Sequence, residues 1–147
     1  MGEYLKQAVQ LSRKSFEAGE FPAGAVLVTK SGGVYESDPS LPHYHGECMV
    51  IDKAIKVEGY PLTGAIMYAS MESCLMCSAK MYWAGIAEVQ FVISKEKTNT
   101  LYAYEDALPM QDRIQRFNTP IVAKQDTTLI DEALGIYEAW VKRIEAK

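Results

Sequence analysis

The residues able to do chemistry fall in two short stretches, His43-Tyr44-His45-Gly46-Glu47-Cys48 and Met71-Glu72-Ser73-Cys74-Leu75-Met76-Cys77. Cys74 and Cys77 form a Cys-x-x-Cys pair. Such a pair suits a thiol redox couple, half of a structural zinc site, or part of a catalytic metal centre. A structural zinc site normally takes four cysteine or histidine ligands, and the remaining candidates, His43, His45 and Cys48, all lie in the first stretch. There His45 opens a helical segment, with Glu47 two residues on. Side chains at i and i+2 do not share a helix face, so these two are poorly suited to ligating one ion together. One ligand beside one non-ligating carboxylate is the natural alternative. His45, Cys74 and Cys77 would then give an ion three protein ligands and one open tetrahedral position, the pattern of catalytic zinc. Water in that position is acidified by the ion, and Glu47 is spaced to take and return its proton. Both ligand groups would also start helices, where the backbone dipole favours thiolates. The redox reading makes opposite demands: no zinc, and reversible oxidation of Cys74 and Cys77 to a disulfide.

These positions depend on the elements that carry them. Residues 3–18 place Tyr4, Ala8, Leu11 and Phe16 at helical spacing, and Gly19 follows as a stop. Residues 25–28, Ala-Val-Leu-Val, read as a short buried strand, and Ser31-Gly32-Gly33 signals a hairpin turn into a second strand at 34–36. Pro39 and Pro42 make 37–44 a loop. A helix is expected over 45–57, closing at Gly59-Tyr60-Pro61, followed by a nearly continuous apolar strand at 65–69 that should be central. Residues 74–84 read as a helix stopped by Gly85, and 88–93 as a fourth strand. The polar stretch 95–116 is irregular, with room for one short helix. Residues 120–123 read as a fifth strand at an edge, where a leading proline is tolerated, and 129–144 as a last helix with Thr127, Thr128 and Asp131 as its capping signal. Helix, hairpin, then alternating helix and strand predict an α/β protein, a three-layer α/β/α sandwich around one sheet.

The chain has 147 residues, 48% hydrophobic and 23% charged, without a repeat, low-complexity run or linker, which suits a single domain spanning 1–147. The formal net charge is −4, the pI about 5.2, and Lys and Arg do not cluster. That balance argues against a long nucleic-acid contact and for a small-molecule substrate. No segment approaches the ~20 apolar residues of a membrane span, and the N-terminal stretch lacks the apolar core of a signal peptide. Three cysteines cannot all pair, which points to a reducing compartment, with the cytoplasm as the expected location.

His45-Gly46-Glu47, followed 27 residues after Glu47 by Cys74-x-x-Cys77, resembles the zinc deaminases of the cytidine-deaminase fold, whose signature pairs H-x-E with P-C-x-x-C. The likeness runs over residues 8–93, with a weaker echo in the final helix. Residues 21–28 look like the family's first strand, and 67–72 like the strand that enters the zinc helix. Tyr82-Trp83-Ala84 is similar to a run in bacterial guanine deaminases, while the His-Gly-Glu form and short chain also suit fungal cytosine deaminases. The resemblance implies a mixed five-stranded sheet between helices, a Zn2+ ion held by His45, Cys74 and Cys77, and Glu47 as proton shuttle. It also implies hydrolytic loss of ammonia from a nucleobase or nucleoside, and a homodimer. A free base of the guanine type is the favoured substrate, with cytosine or cytidine and tRNA adenosine as alternatives.

Two departures stand out. Ser73 occupies the place of the family's proline; its hydroxyl is expected to cap the helix where proline would pre-set the backbone, and the backbone around it to help bind water or substrate. The family's substrate-binding asparagine after the second strand is missing from Val34-Tyr35-Glu36-Ser37-Asp38, which leaves Ser37 or Asp38 as stand-ins. Tyr104, with Tyr102, falls in the family's variable, substrate-selecting segment. Trp140 and Tyr137 read as core anchors or as part of a C-terminal lid of the kind found in free-base deaminases. Tyr82 and Trp83 suit core or dimer-interface positions, and His43 a loop. Cys48 suits a buried helix face with Ile51 and Ile55 rather than a ligand role. A rival outside the enzymes is a non-catalytic zinc-binding partner subunit; Glu47 argues against it, since a structural ion needs no proton shuttle.

Overall fold

The computed structural model describes residues 2–147. Helix α1 (Gly2–Glu17) buries Leu5, Ala8, Val9, Ser12 and Ser15, a stripe at helical spacing. Strands β1 (Ala25–Val28) and β2 (Val34–Glu36) form an antiparallel hairpin with Leu27 opposite Tyr35. Then α2 (Gly46–Glu58), β3 (Ile66–Met71), α3 (Leu75–Ala84) and β4 (Glu88–Ile93) alternate. The chain closes with a 3-10 turn (Lys95–Lys97), two short helices α4 (Thr100–Ala103) and α5 (Met110–Ile114), edge strand β5 (Val122–Gln125) and helix α6 (Ile130–Glu145).

The sheet is mixed, in the order β2-β1-β3-β4-β5, with β1 antiparallel to both neighbours and β3, β4 and β5 parallel. Its pleat sends alternate residues to opposite layers. Leu27, Met67 and Val89 pack with Val50 and Ile51 of α2, Met81 of α3 and Ile114 of α5. Val26, Tyr68 and Val92 pack on the other side with Leu5 and Val9 of α1 and Ile136 and Tyr137 of α6. This is the expected α/β/α sandwich, with β3 at its centre. Leu27, Ile51, Met67 and Met81 are fully buried, so truncating any of them to alanine would cost roughly 2–5 kcal/mol.

Two glycines are needed where they stand. A β-carbon at Gly24 would collide with the Ala8 carbonyl and the Ser12 amide, so only glycine lets α1 lie this close to the entry of β1. Gly85 ends α3 in the left-handed conformation (φ 86°), where its amide and that of Ile86 take up the last carbonyls of the helix.

The structure departs from expectation in three places. Strand β5 starts at Val122 rather than at Pro120, because proline has no amide to give; pairing begins where Val122 N–H donates to Ala87 O (2.9 Å). Residues 95–116 hold two short helices and a 3-10 turn, not one helix. They are gathered by the buried carboxylate of Glu72, which accepts from the amides of Lys95 (2.9 Å) and Met110 (2.5 Å). The Thr127, Thr128 and Asp131 capping signal is not used. Leu129 occupies the cap of α6 without a side-chain hydrogen bond, and Asp126 Oδ1 accepts from Thr128 N instead (2.9 Å).

Candidate active site

The two chemistry-bearing stretches meet where α2 and α3 begin. Strand β1 pairs with β3, and Gly46 packs against the Ala25 amide and Ser37, which brings the start of α2 beside the carboxyl end of β3. His45 is the N-cap residue of α2, and Cys74 that of α3. A tight turn, in which Leu41 and Tyr44 exchange both backbone hydrogen bonds (3.2 and 3.1 Å), sets the direction from which His45 enters.

His45 is held at one nitrogen and offered at the other. Its Nε2 lies 3.0 Å from Pro42 O, a group that only accepts, so Nε2 carries a proton and Nδ1 is the nitrogen left for a metal. Nδ1 faces both thiols, 3.4 Å from Cys74 Sγ and 3.5 Å from Cys77 Sγ. A tetrahedral zinc with ordinary Zn–N and Zn–S bonds separates such ligand atoms by roughly 3.6 Å, so the donor set fits the ion. Among the described residues these three form the group able to hold a metal. Hydrogen bonding to Cys74 raises the His45 pKa to about 9, against burial that lowers it. The Cys74 thiol is drawn below the ordinary cysteine range by Cys77 and then His45, whereas Cys48, Cys74 and burial push Cys77 up. Cys48 touches Cys77 (Sγ–Sγ 3.8 Å) and is buried, without joining the ligand group.

Glu47 lies in the first turn of α2, buried, and burial raises its pKa to about 7. A carboxyl group poised near neutrality both accepts and returns a proton readily. Its Oε2 accepts a hydrogen bond from the Ser73 hydroxyl at 3.0 Å. The expectation that Ser73 caps α3 is corrected: the N-cap is Cys74, one residue on, whose Sγ takes the capping amide of Cys77 (3.4 Å), and Glu105 Oε1 takes that of Leu75 (3.0 Å). Ser73 is fully buried and lies outside the walls of the adjoining cavity.

That cavity, about 490 Å³, opens over Glu47, His45 and Cys74. Its walls include Phe21 and Gly24 after α1, Ser40, Leu41 and Pro42 of the loop before α2, Tyr102 and Tyr104 around α4, and Trp140 of α6. Ser37 and Asp38 are absent from it. The Ser37 hydroxyl accepts from the first amide of β1, Ala25 N (2.9 Å), and exposed Asp38 pairs with Lys53 (3.1 Å). Neither of these two expected substrate contacts is therefore brought to the cavity wall. Tyr104 does line the cavity; its hydroxyl donates to Glu72 O (2.6 Å), so it offers the ring. Sequence reasoning missed Ser40, whose buried hydroxyl has no partner among the described residues, and also Phe21 and Glu20 on the same wall. The prolines at 39 and 42 marked that segment as a loop, and nothing in their spacing marked its wall-forming role.

Residues 2–93 match the family described as the cytidine and deoxycytidylate deaminase zinc-binding region, and the chain belongs to that family. It is similar to the tRNA-specific adenosine deaminase of Bacillus subtilis, with 35% identity over 95 residues, covering 60% of this chain and 58% of the relative. It is also similar to the guanine deaminase of the same organism, with 39% identity over 88 residues, covering 55% of this chain and 56% of the relative. The matched part is thus less than two thirds of these relatives' length. The X-ray structure of the Bacillus subtilis guanine deaminase superposes with a TM-score of 0.63 at 27% identity, covering 95% of this chain and 92% of the other. Zinc is the ion of the family, and the His45, Cys74 and Cys77 group suits it.

Proposed function

We propose that the protein is a zinc-dependent hydrolase that exchanges the exocyclic amino group of a free nucleobase for a carbonyl oxygen and releases ammonia, with guanine as the first candidate. His45, Cys74 and Cys77 would hold the ion, which supplies Lewis acidity at its open position and so makes water acidic there. Glu47 takes one proton from the attacking water and delivers it to the ring nitrogen next to the attacked carbon. It then carries the proton of the new hydroxyl to the amino nitrogen; the C–N bond breaks, ammonia leaves, and the carbonyl and ring N–H remain.

The observation that carries the free-base reading is the charge of the cavity. Among the described residues its lining holds Glu20, Glu47 and Glu105, together with Glu72, whose carboxylate is held by the Lys95 and Met110 amides, and no lysine or arginine. Such a wall repels phosphate and accepts a neutral ring. Phe21, Tyr104 and Trp140 supply apolar faces for it, and the Tyr82-Trp83-Ala84 run adds its likeness to bacterial guanine deaminases. Deamination of tRNA adenosine is the second reading, favoured by the 35% identity to the Bacillus subtilis enzyme of that name. Exposed Leu75 and Trp83 on α3, the latter 72% accessible, support assembly as a homodimer. The three free thiols suit the reducing cytoplasm.

The test is ammonia release by zinc-loaded protein from guanine, cytosine, adenine, their nucleosides and a tRNA anticodon stem. Guanine should turn over fastest, and Glu47→Ala should abolish turnover while keeping near one zinc per chain. Equal activity in that variant would overturn the mechanism, and activity on the tRNA stem alone would replace the free-base reading with the second one.

A further inference from the structure

We infer that Ser73 is a positioning residue for Glu47, holding its carboxylate in the orientation needed for proton transfer; this rests on the deaminase reading above. The two residues lie 26 positions apart, one in the first turn of α2 and the other just before α3. Their hydrogen bond (3.0 Å) therefore spans the same junction as the metal-ligand group.

Three observations favour a positioning role. The Ser73 hydroxyl is not used for capping, since Cys74 and Glu105 take the first amides of α3. It is fully buried, so water does not compete for its proton, and it has no contact with the cavity through which it could meet substrate. Glu47, at 6% exposure, is surrounded by protein, and the hydroxyl fixes one oxygen of a side chain that otherwise turns about three bonds. Proline at position 73 would offer no donor, so a chain with serine here orients its carboxylate by a means that proline lacks. Misorientation by a fraction of an ångström slows transfer without weakening substrate binding, because the carboxylate acts in the transition state.

The experiment compares wild type, Ser73→Ala and Ser73→Thr as zinc-loaded proteins, using guanine or whichever base of the panel the wild type turns over fastest. Ser73→Ala should keep near one zinc per chain, lose about 10–100-fold in kcat and change KM by less than about threefold. Ser73→Thr, which retains the hydroxyl, should recover most of the loss. The same base with hydrogen in place of its amino group (hypoxanthine for guanine, 2-pyrimidinone for cytosine, purine for adenine), which can add water without expelling ammonia, supplies a readout independent of turnover. Its calorimetric affinity should fall about tenfold in Ser73→Ala, and Ser73→Ala should add nothing in a Glu47→Gln background. An unchanged kcat, loss of zinc, or the same penalty in both backgrounds would overturn the inference. If the wild type releases ammonia from no base, the deaminase reading falls and takes the inference with it. If the wild type and Ser73→Ala turn over equally, only the inference falls.

Discussion

Among single residues, the contrast between His45 and Cys48 is the most instructive. Both neighbour the Cys-x-x-Cys pair, and both carry an atom that binds zinc. His45 presents Nδ1 to both sulfurs and has its other nitrogen fixed by Pro42 O, whereas Cys48 reaches only Cys77, from within the buried face of α2. His45→Ala should therefore lose zinc. Cys48→Ala should keep near one zinc per chain and cost about 1 kcal/mol of stability, the usual scale of a small buried truncation. Metal content by atomic absorption and a denaturant melt check both; the reverse result would make Cys48 the third ligand. The His45, Cys74 and Cys77 group was legible in the sequence because residue type and spacing restrict its chemistry. Ser73 and Ser37 were not, because a serine hydroxyl suits a local cap as well as a distant partner. Their partners, Glu47 and Ala25, lie 26 and 12 residues away.

At the scale of elements, the site depends on α2 and α3 keeping their N-termini together. Asp52 of α2 links them: it accepts from Tyr44, just before α2, and pairs with Lys80 of α3 at 2.9 Å. Burial raises the Asp52 carboxyl, but Tyr44 and Lys80 together draw it below its ordinary value, while the same contact pushes Tyr44 up to about 12. A carboxyl group lowered on folding stabilises the fold above its unfolded pKa and loses that contribution as pH falls through the folded one. Asp52→Asn should therefore melt below wild type at pH 7, with the gap closing below about pH 4. Its side chain is 47% exposed, so solvent screening limits the effect to under about 1 kcal/mol, or about 2–4 °C. A gap that persists unchanged in acid would exclude the ion pair as its source. The elements themselves were largely legible, and β1, β2 and β4 begin and end where hydropathy and turn residues put them. Residues 95–116 were not, because their order comes from Glu72 binding the Lys95 and Met110 amides from another part of the chain. No local periodicity records such a contact.

On the scale of the whole molecule, the proposed free-base substrate can be tested through charge. The chain carries a formal net charge of −4, and among the described residues the cavity lining holds Glu20, Glu47 and Glu105 and no lysine or arginine. A protein that grips single-stranded nucleic acid by neutralising phosphates shows an affinity that falls with salt, with a log–log slope of about −0.7 per phosphate contacted. A neutral base releases no counterions, so its binding should hardly depend on salt. Fluorescence titrations between about 50 and 200 mM salt, the range over which such contacts declare themselves, should give a flat response for guanine and no saturable binding of a tRNA anticodon stem. Replacing Glu20, on the cavity wall, by lysine puts a cation where a phosphate would pass. Glu20→Lys should therefore bind the stem measurably at low salt, with a slope near −0.7 for the single contact created. Tight binding of the stem by wild type, with a slope several times steeper, would mean that cations elsewhere on the surface gather an RNA and bring its base to Glu47 despite the acidic wall.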